Sequence, residues 1–133
     1  MKRTYVDSNV LMQAFRGTTE LALPAMRILD DPDRRFVSSV FSKLELLPKP
    51  RYERRLPEVE FYEEFYESCE VVVSGSAATC QAALDEAQRH GLSAVDALHV
   101  VSAAEAGAEE LVTGEGSTKT IHRATAVRIV SLR

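Results

Sequence analysis

Short apolar runs alternate with longer segments of helical period along this chain. Thr4-Tyr5-Val6 is a strand-forming run that ends at Asp7, and Val10, Leu11, Ala14 and Phe15 then recur at helical spacing behind the cap-type residues Ser8 and Asn9. Gly17 is a natural stop. Thr18 or Thr19 is expected to cap a second helix that runs to about Leu29. Asp30-Asp31-Pro32-Asp33 makes a turn, and Phe36-Val37-Ser38-Ser39 a second strand. A short helix from Val40 to Leu47 is expected to end at the two prolines of Pro48-Lys49-Pro50. Pro57 suits the first turn of a helix that reaches about Ser68. Val71-Val72-Val73 reads as a strand covered on both faces. Ser74-Gly75-Ser76 turns into a helix ending at His90-Gly91.

Ser93-Ala94-Val95-Asp96 has the spacing of a capping box. It opens an Ala- and Val-rich helix, apolar on most sides, that should be the central buried one and should end at Gly107. Glu110 to Thr113 is a fourth strand, followed by the loose loop Gly114-Glu115-Gly116-Ser117, and Val127 to Leu132 a last one at an edge. Strands separated by helices predict a three-layer α/β/α sandwich with a mostly parallel sheet. The 133 residues fit one domain spanning 1–133.

Composition narrows the function classes. The net charge of −4 provides no global basic field, so any nucleic acid would need a local patch or bridging cations. No apolar run approaches the ~20 residues of a membrane span, and Met1-Lys2-Arg3 leads into no signal-peptide core, so the cytoplasm is the expected compartment. The two cysteines form no CxxC and read as quiet thiols.

The acids carry the chemistry. Asp7 follows one strand and Glu115 another, and ligands bind at the C-terminal ends of strands in open α/β sheets. Asp96 lies at a helix start, and Glu45 interrupts an apolar run just after a strand. Each alone passes as a cap or a surface charge. Four converging carboxylates would repel one another unless cations sat between them, and hard oxygen donors suit Mg²⁺ or Mn²⁺. His99, one turn beyond Asp96, reads as packed or hydrogen-bonded rather than as a ligand. Phe61, Tyr62, Phe65 and Tyr66 form an aromatic stripe for the core or for a partner subunit. Residues 48–55 are the most basic stretch, and Lys119, His122 and Arg123 form a second small group.

Four segments together resemble the PIN domain family, in particular the VapC-like toxins of toxin–antitoxin pairs. They are Tyr5-Val6-Asp7-Ser8-Asn9-Val10-Leu11, Leu44-Glu45-Leu46, Leu92-Ser93-Ala94-Val95-Asp96-Ala97-Leu98-His99 and Leu111-Val112-Thr113-Gly114-Glu115. The resemblance implies a metal-dependent endoribonuclease whose Mg²⁺ or Mn²⁺ ligands fall on Asp7, Glu45, Asp96 and Glu115, with Asn9 and Thr113 orienting them. It makes RNA the substrate, an antitoxin the partner and a homodimer the expected assembly, with the aromatic stripe as candidate interface. Arg51, Arg54, Arg55, Lys119 and Arg123 are then candidates for backbone contacts. One position departs from the pattern: the last acid is usually Asp and here is Glu115, which puts a second metal site in question. The alternatives are a PIN-fold module that binds RNA or protein but cleaves weakly, and a phosphatase of the haloacid-dehalogenase type. The latter wants D-x-D, and the second position here is Asn9.

Overall fold

The computed structural model describes residues 1–133. In chain order the elements are β1 (Lys2–Val6), α1 (Ser8–Arg16), α2 (Ala22–Leu29), β2 (Arg34–Ser39), α3 (Val40–Leu46), α4 (Pro48–Tyr52), α5 (Leu56–Ser68), β3 (Val71–Val73), α6 (Ala77–His90), α7 (Ala94–Glu105), β4 (Glu110–Thr113) and β5 (Arg128–Ser131), with a 3₁₀ turn at Thr120–Arg123. All strand pairs are parallel, in the order β3-β2-β1-β4-β5. Every strand therefore ends on the same side of the sheet.

Two apolar cores cover the two faces of this sheet. Alternation along the central strands divides them: Tyr5 pairs with Leu111 over one face and Val6 with Val112 over the other. The first core holds α6 and α7, through Ala83, Val100 and Ala103. The second holds α1, α2, α3 and α5, through Leu11, Ala25, Leu46 and Tyr62. This is the expected three-layer sandwich.

Local departures have local causes. β3 lies at an edge and leaves Val71 38% exposed, so it is not covered on both faces; an all-apolar triplet carries no information about its place in the sheet. α2 begins at Ala22 rather than at Thr18 or Thr19, because the Thr19 hydroxyl accepts from Leu21 N–H and holds a turn there. Pro48 starts α4 as well as following α3, since a proline costs nothing in a first turn. The aromatic stripe is internal: Tyr62, Phe65 and Tyr66 are buried, and Phe61 packs against Phe15. Its apolar face is thus spent within the chain rather than left for a subunit interface. Cys69 is partly buried, and its thiol is pushed up to about 12 by burial; Cys80 is exposed and unpaired. No helix is long and apolar enough to cross a membrane.

Candidate functional site

Asp7 is the first residue beyond the central strand. It caps α1, its Oδ1 accepting from Ser8 N–H at 2.7 Å, and its Oδ2 accepts from the Thr113 hydroxyl at 3.0 Å. The two readings of this acid were therefore compatible: the capping geometry fixes the carboxylate at the end of the sheet. Only 8% of Asp7 is exposed, and no Lys or Arg pairs with it. Burial raises its pKa, with the charge of Glu45 adding to that and His99, Thr113 and Ser8 opposing it.

Glu45 is brought to Asp7 by α3, which starts immediately after β2. Its Oε1 accepts from the Ser8 hydroxyl at 2.7 Å and is bonded to His99 Nε2 at 2.5 Å. Partial burial would raise its pKa, but the His99 and Ser8 bonds and the His99 charge outweigh this and lower it. His99 is 1% exposed. Its Nδ1 meets the Tyr5 hydroxyl at 2.6 Å, which in turn meets the Ser39 hydroxyl at 2.7 Å. Burial disfavours a charged imidazole, yet Glu45, Asp7 and Asp96 together hold its pKa above the ordinary 6.5. One ligand atom each from Asp7, Glu45 and His99 lies within 4.8 Å of the others.

Asp96 stands in the first turn of α7, where its N–H donates to the Ser93 hydroxyl that caps the helix. Its pKa is raised by burial and also by the charges of Glu115 and Glu45, against the Ser93 bond and His99. The charges of Glu115 and Glu45 thus reach Asp96, while only Asp7, Glu45 and His99 form the close group. The Glu115 side chain makes no hydrogen bond; its backbone N–H donates to the Thr113 hydroxyl. Asn9 turns from α1 to this loop, its Oδ1 accepting from Gly114 N–H at 3.0 Å. A Cβ at Gly114 would lie 3.2 Å from that oxygen, so the close approach favours glycine there.

The basic candidates are dispersed. Arg51 is paired with Glu63, and Arg55 with Glu53 and Glu58. Arg54 is exposed in the left-handed turn after α4, at φ 55°. Lys119 and Arg123 are exposed on the loop between β4 and β5 and pair with no acid. Sequence reasoning missed Ser8, Tyr5 and Ser39 as members of the network. For Ser8 the signal was adjacency to Asp7; His99 is buried and hydrogen-bonded, as expected from its place one turn beyond Asp96. Tyr5 and Ser39 gave none.

Residues 4–119 match the PIN domain family. No curated protein matches the sequence. The fold is similar to a toxin–antitoxin complex from Klebsiella pneumoniae, with a TM-score of 0.73, 17% identity and 98% of each chain covered. It is also similar to VapBC2 from Rickettsia felis bound to a DNA fragment from its promoter (0.71, 15%, covering 97% of this chain and 98% of that one). A third is DNA-bound VapBC from Salmonella typhimurium (0.70, 17%, covering 100% of each). At these identities the likeness is one of fold. The sequence match spans most of the chain, from within β1 to the loop after β4, and on that ground the chain belongs to the PIN domain family.

Proposed function

We propose that the protein is a metal-dependent endoribonuclease and the toxin of a toxin–antitoxin pair. One observation carries the reading: Asp7 is a buried carboxylate with no Lys or Arg to pair with, only His99 Nε2 at 3.8 Å, at the ligand-binding end of a parallel sheet. Such a group is costly unless a cation meets it. The donor set fits a hard divalent ion, with Asp7, Glu45, Asp96 and Glu115 as the residues that would hold Mg²⁺ or Mn²⁺. When bound, the ion supplies Lewis-acid charge to a phosphate oxygen and acidifies water for attack on phosphorus. Hydrolysis would leave a 5′-phosphate and a 3′-hydroxyl.

The chain's own residues do the positioning. Thr113 and Ser8 hold the Asp7 carboxylate from two sides, and Asn9 ties the Gly114 loop to α1. His99 takes no ligand role in this reading, because both of its ring nitrogens are engaged. It is the local counter-charge that steadies Glu45. Family membership and the fold shared with toxin–antitoxin complexes support an RNA substrate, a cognate antitoxin, a homodimer and a cytoplasmic location.

A second reading, a PIN-fold module that binds but cleaves weakly, is favoured by the inner group itself, which brings together Asp7, Glu45 and His99 and leaves both Asp96 and Glu115 outside it. Purified protein incubated with mixed single-stranded RNA in Mn²⁺, in Mg²⁺ and in chelator decides between them. Metal-dependent cutting, abolished by Asp96→Asn, is the expected result. Binding without cutting would select the second reading, and cutting that survives the substitution would place the chemistry elsewhere.

A further inference from the structure

A cavity of about 180 Å³ opens beside Glu45. Its walls bring together Arg16 from the end of α1, Lys49 from α4, and Arg55, Glu58 and Tyr62 from the start of α5. The two acids there are already committed. Glu45 is bonded to Ser8 and His99. Glu58 is buried, with Arg55 Nη1 at 3.2 Å and the Tyr62 hydroxyl donating at 2.8 Å. The cations are less fully used. Arg16 and Lys49 have no carboxylate within salt-bridge distance. Arg55 Nε lies 3.3 Å from a Glu53 oxygen but is out of line with it, and it is buried with no hydrogen-bond acceptor. The left-handed turn at Arg54, closed by Arg55 N–H donating to Pro50 C=O, sets Arg55 over the cavity.

From this we infer that Arg16, Lys49 and Arg55 form a phosphate subsite. It receives an internal phosphodiester of the RNA strand, next to the one held at the carboxylates. The inference rests on the ribonuclease reading. Guanidinium and ammonium donors converging from three elements suit a tetrahedral anion. Because Glu45 lines both the cavity and the acid cluster, a strand with one phosphate at the acids lays a neighbouring one in the cavity.

The test is binding of a labelled 5′-hydroxyl RNA oligomer in chelator, so that cleavage plays no part. Wild type is compared with Arg16→Gln/Lys49→Gln and with Arg89→Gln, an exposed arginine on α6 across the sheet. The double variant removes two exposed side chains and should melt with wild type. It should bind about ten-fold or more weakly, with a salt slope shallower by about 1 to 2. An abasic oligomer should show the same difference, and in Mn²⁺ the loss should fall on KM. Arg89→Gln should bind as wild type does. Equal binding by the double variant, with wild type still cutting RNA, would overturn the subsite and leave the nuclease reading intact. Binding confined to 5′-phosphorylated oligomers would overturn the internal-phosphodiester assignment in favour of a terminal phosphate. Wild type that ignores RNA in every condition but holds an acidic peptide through Arg16 and Lys49 would overturn both.

Discussion

Two buried carboxylates lie at opposite ends of the same sheet and are treated in opposite ways. Glu110 opens β4 and is 2% exposed. Arg34 Nε donates to it at 3.0 Å, the Thr4 hydroxyl donates at 3.0 Å, and Lys2 lies 3.8 Å away. Asp7 ends β1 and is buried to a similar degree, but only neutral donors and a histidine face it. Glu45 joins Asp7 there in place of a Lys or Arg, and Asp96 feels the charges of Glu45 and Glu115 beside it. The sheet is thus closed by ion pairs at one end and left with unbalanced negative charge at the other. The first arrangement holds the fold together; the second leaves a place for a cation.

The largest expected effect breaks the Asp7 end. Asp7→Asn keeps an oxygen for Ser8 N–H and a polar partner for Thr113, so the cap survives while the charge is lost. Cleavage should fall on the order of 10²–10³-fold, and the chelator-treated protein should melt no lower than wild type at neutral pH. A clear fall in Tm would mean that Asp7 is chiefly structural.

Glu110→Ala is the complementary break. It should cost about 3 kcal/mol by leaving Arg34 and Thr4 without their shared acceptor, while cleavage per folded molecule stays at the wild-type level. Chemical denaturation beside an active-fraction assay checks both halves. Glu110→Gln, which retains the Thr4 bond, should cost less.

His99→Gln comes next. It removes the bridge between Tyr5 and Glu45, and cleavage should drop about 10–100-fold, as when a group that orients a ligand is lost. Tyr5→Phe removes the hydroxyl that joins His99 Nδ1 to Ser39 but leaves the His99–Glu45 bond, and should cost less than His99→Gln in the same assay.

These contrasts also show what the sequence could reveal. The alternation of strands and helices, and the place of Asp7 and Glu115 just beyond two strands, followed from spacing and local cap chemistry. Those signals act within a few residues. The Tyr5–His99–Ser39 network joins positions 34 and 94 apart, and only the strand order β2-β1-β4 and the packing of α7 bring them together. Likewise Arg16 carries no mark in the chain, and Lys49 only that of lying in a basic stretch; their meeting beside Glu45 depends on how α1 and α4 pack. The edge position of β3 was hidden because Val71-Val72-Val73 reads the same at an edge as in the middle.

A smaller effect links pH to metal. Asp7 and Asp96 titrate above the ordinary 3.8 when folded, so in the window above that value the native chain holds protons that the unfolded chain has released. Stability should therefore fall as pH rises through their folded values. His99, raised above 6.5, stabilises the fold while protonated, and its contribution fades as pH rises through its own folded value. Glu45 is lowered and acts the other way, stabilising above 4.5 and losing this as pH falls through its folded value. In chelator, Tm should decline from mildly acidic to mildly alkaline pH. Saturating Mn²⁺ should flatten that decline, since about 100-fold excess over Kd adds about 2.7 kcal/mol. Asp7→Asn should flatten it without metal. An identical pH profile with and without Mn²⁺ would argue against a cation among these acids.

The smallest effect sharpens the site's own boundary. Glu115 stands outside the inner group and makes no side-chain hydrogen bond, yet its charge helps to raise the Asp96 carboxyl. If it acts only through that field, Glu115→Gln should lower the Asp96 pKa and change cleavage by less than about ten-fold, because like charges at a half-exposed rim are partly screened by water. Glu115→Asp keeps the charge on a shorter arm and should leave the Asp96 titration nearer to wild type. Carboxyl titration by NMR reads the first quantity and the RNA assay the second. A loss in Glu115→Gln as deep as that in Asp7→Asn would make Glu115 a full member of the metal-holding set, despite the extra methylene that sets it apart from the family's usual Asp.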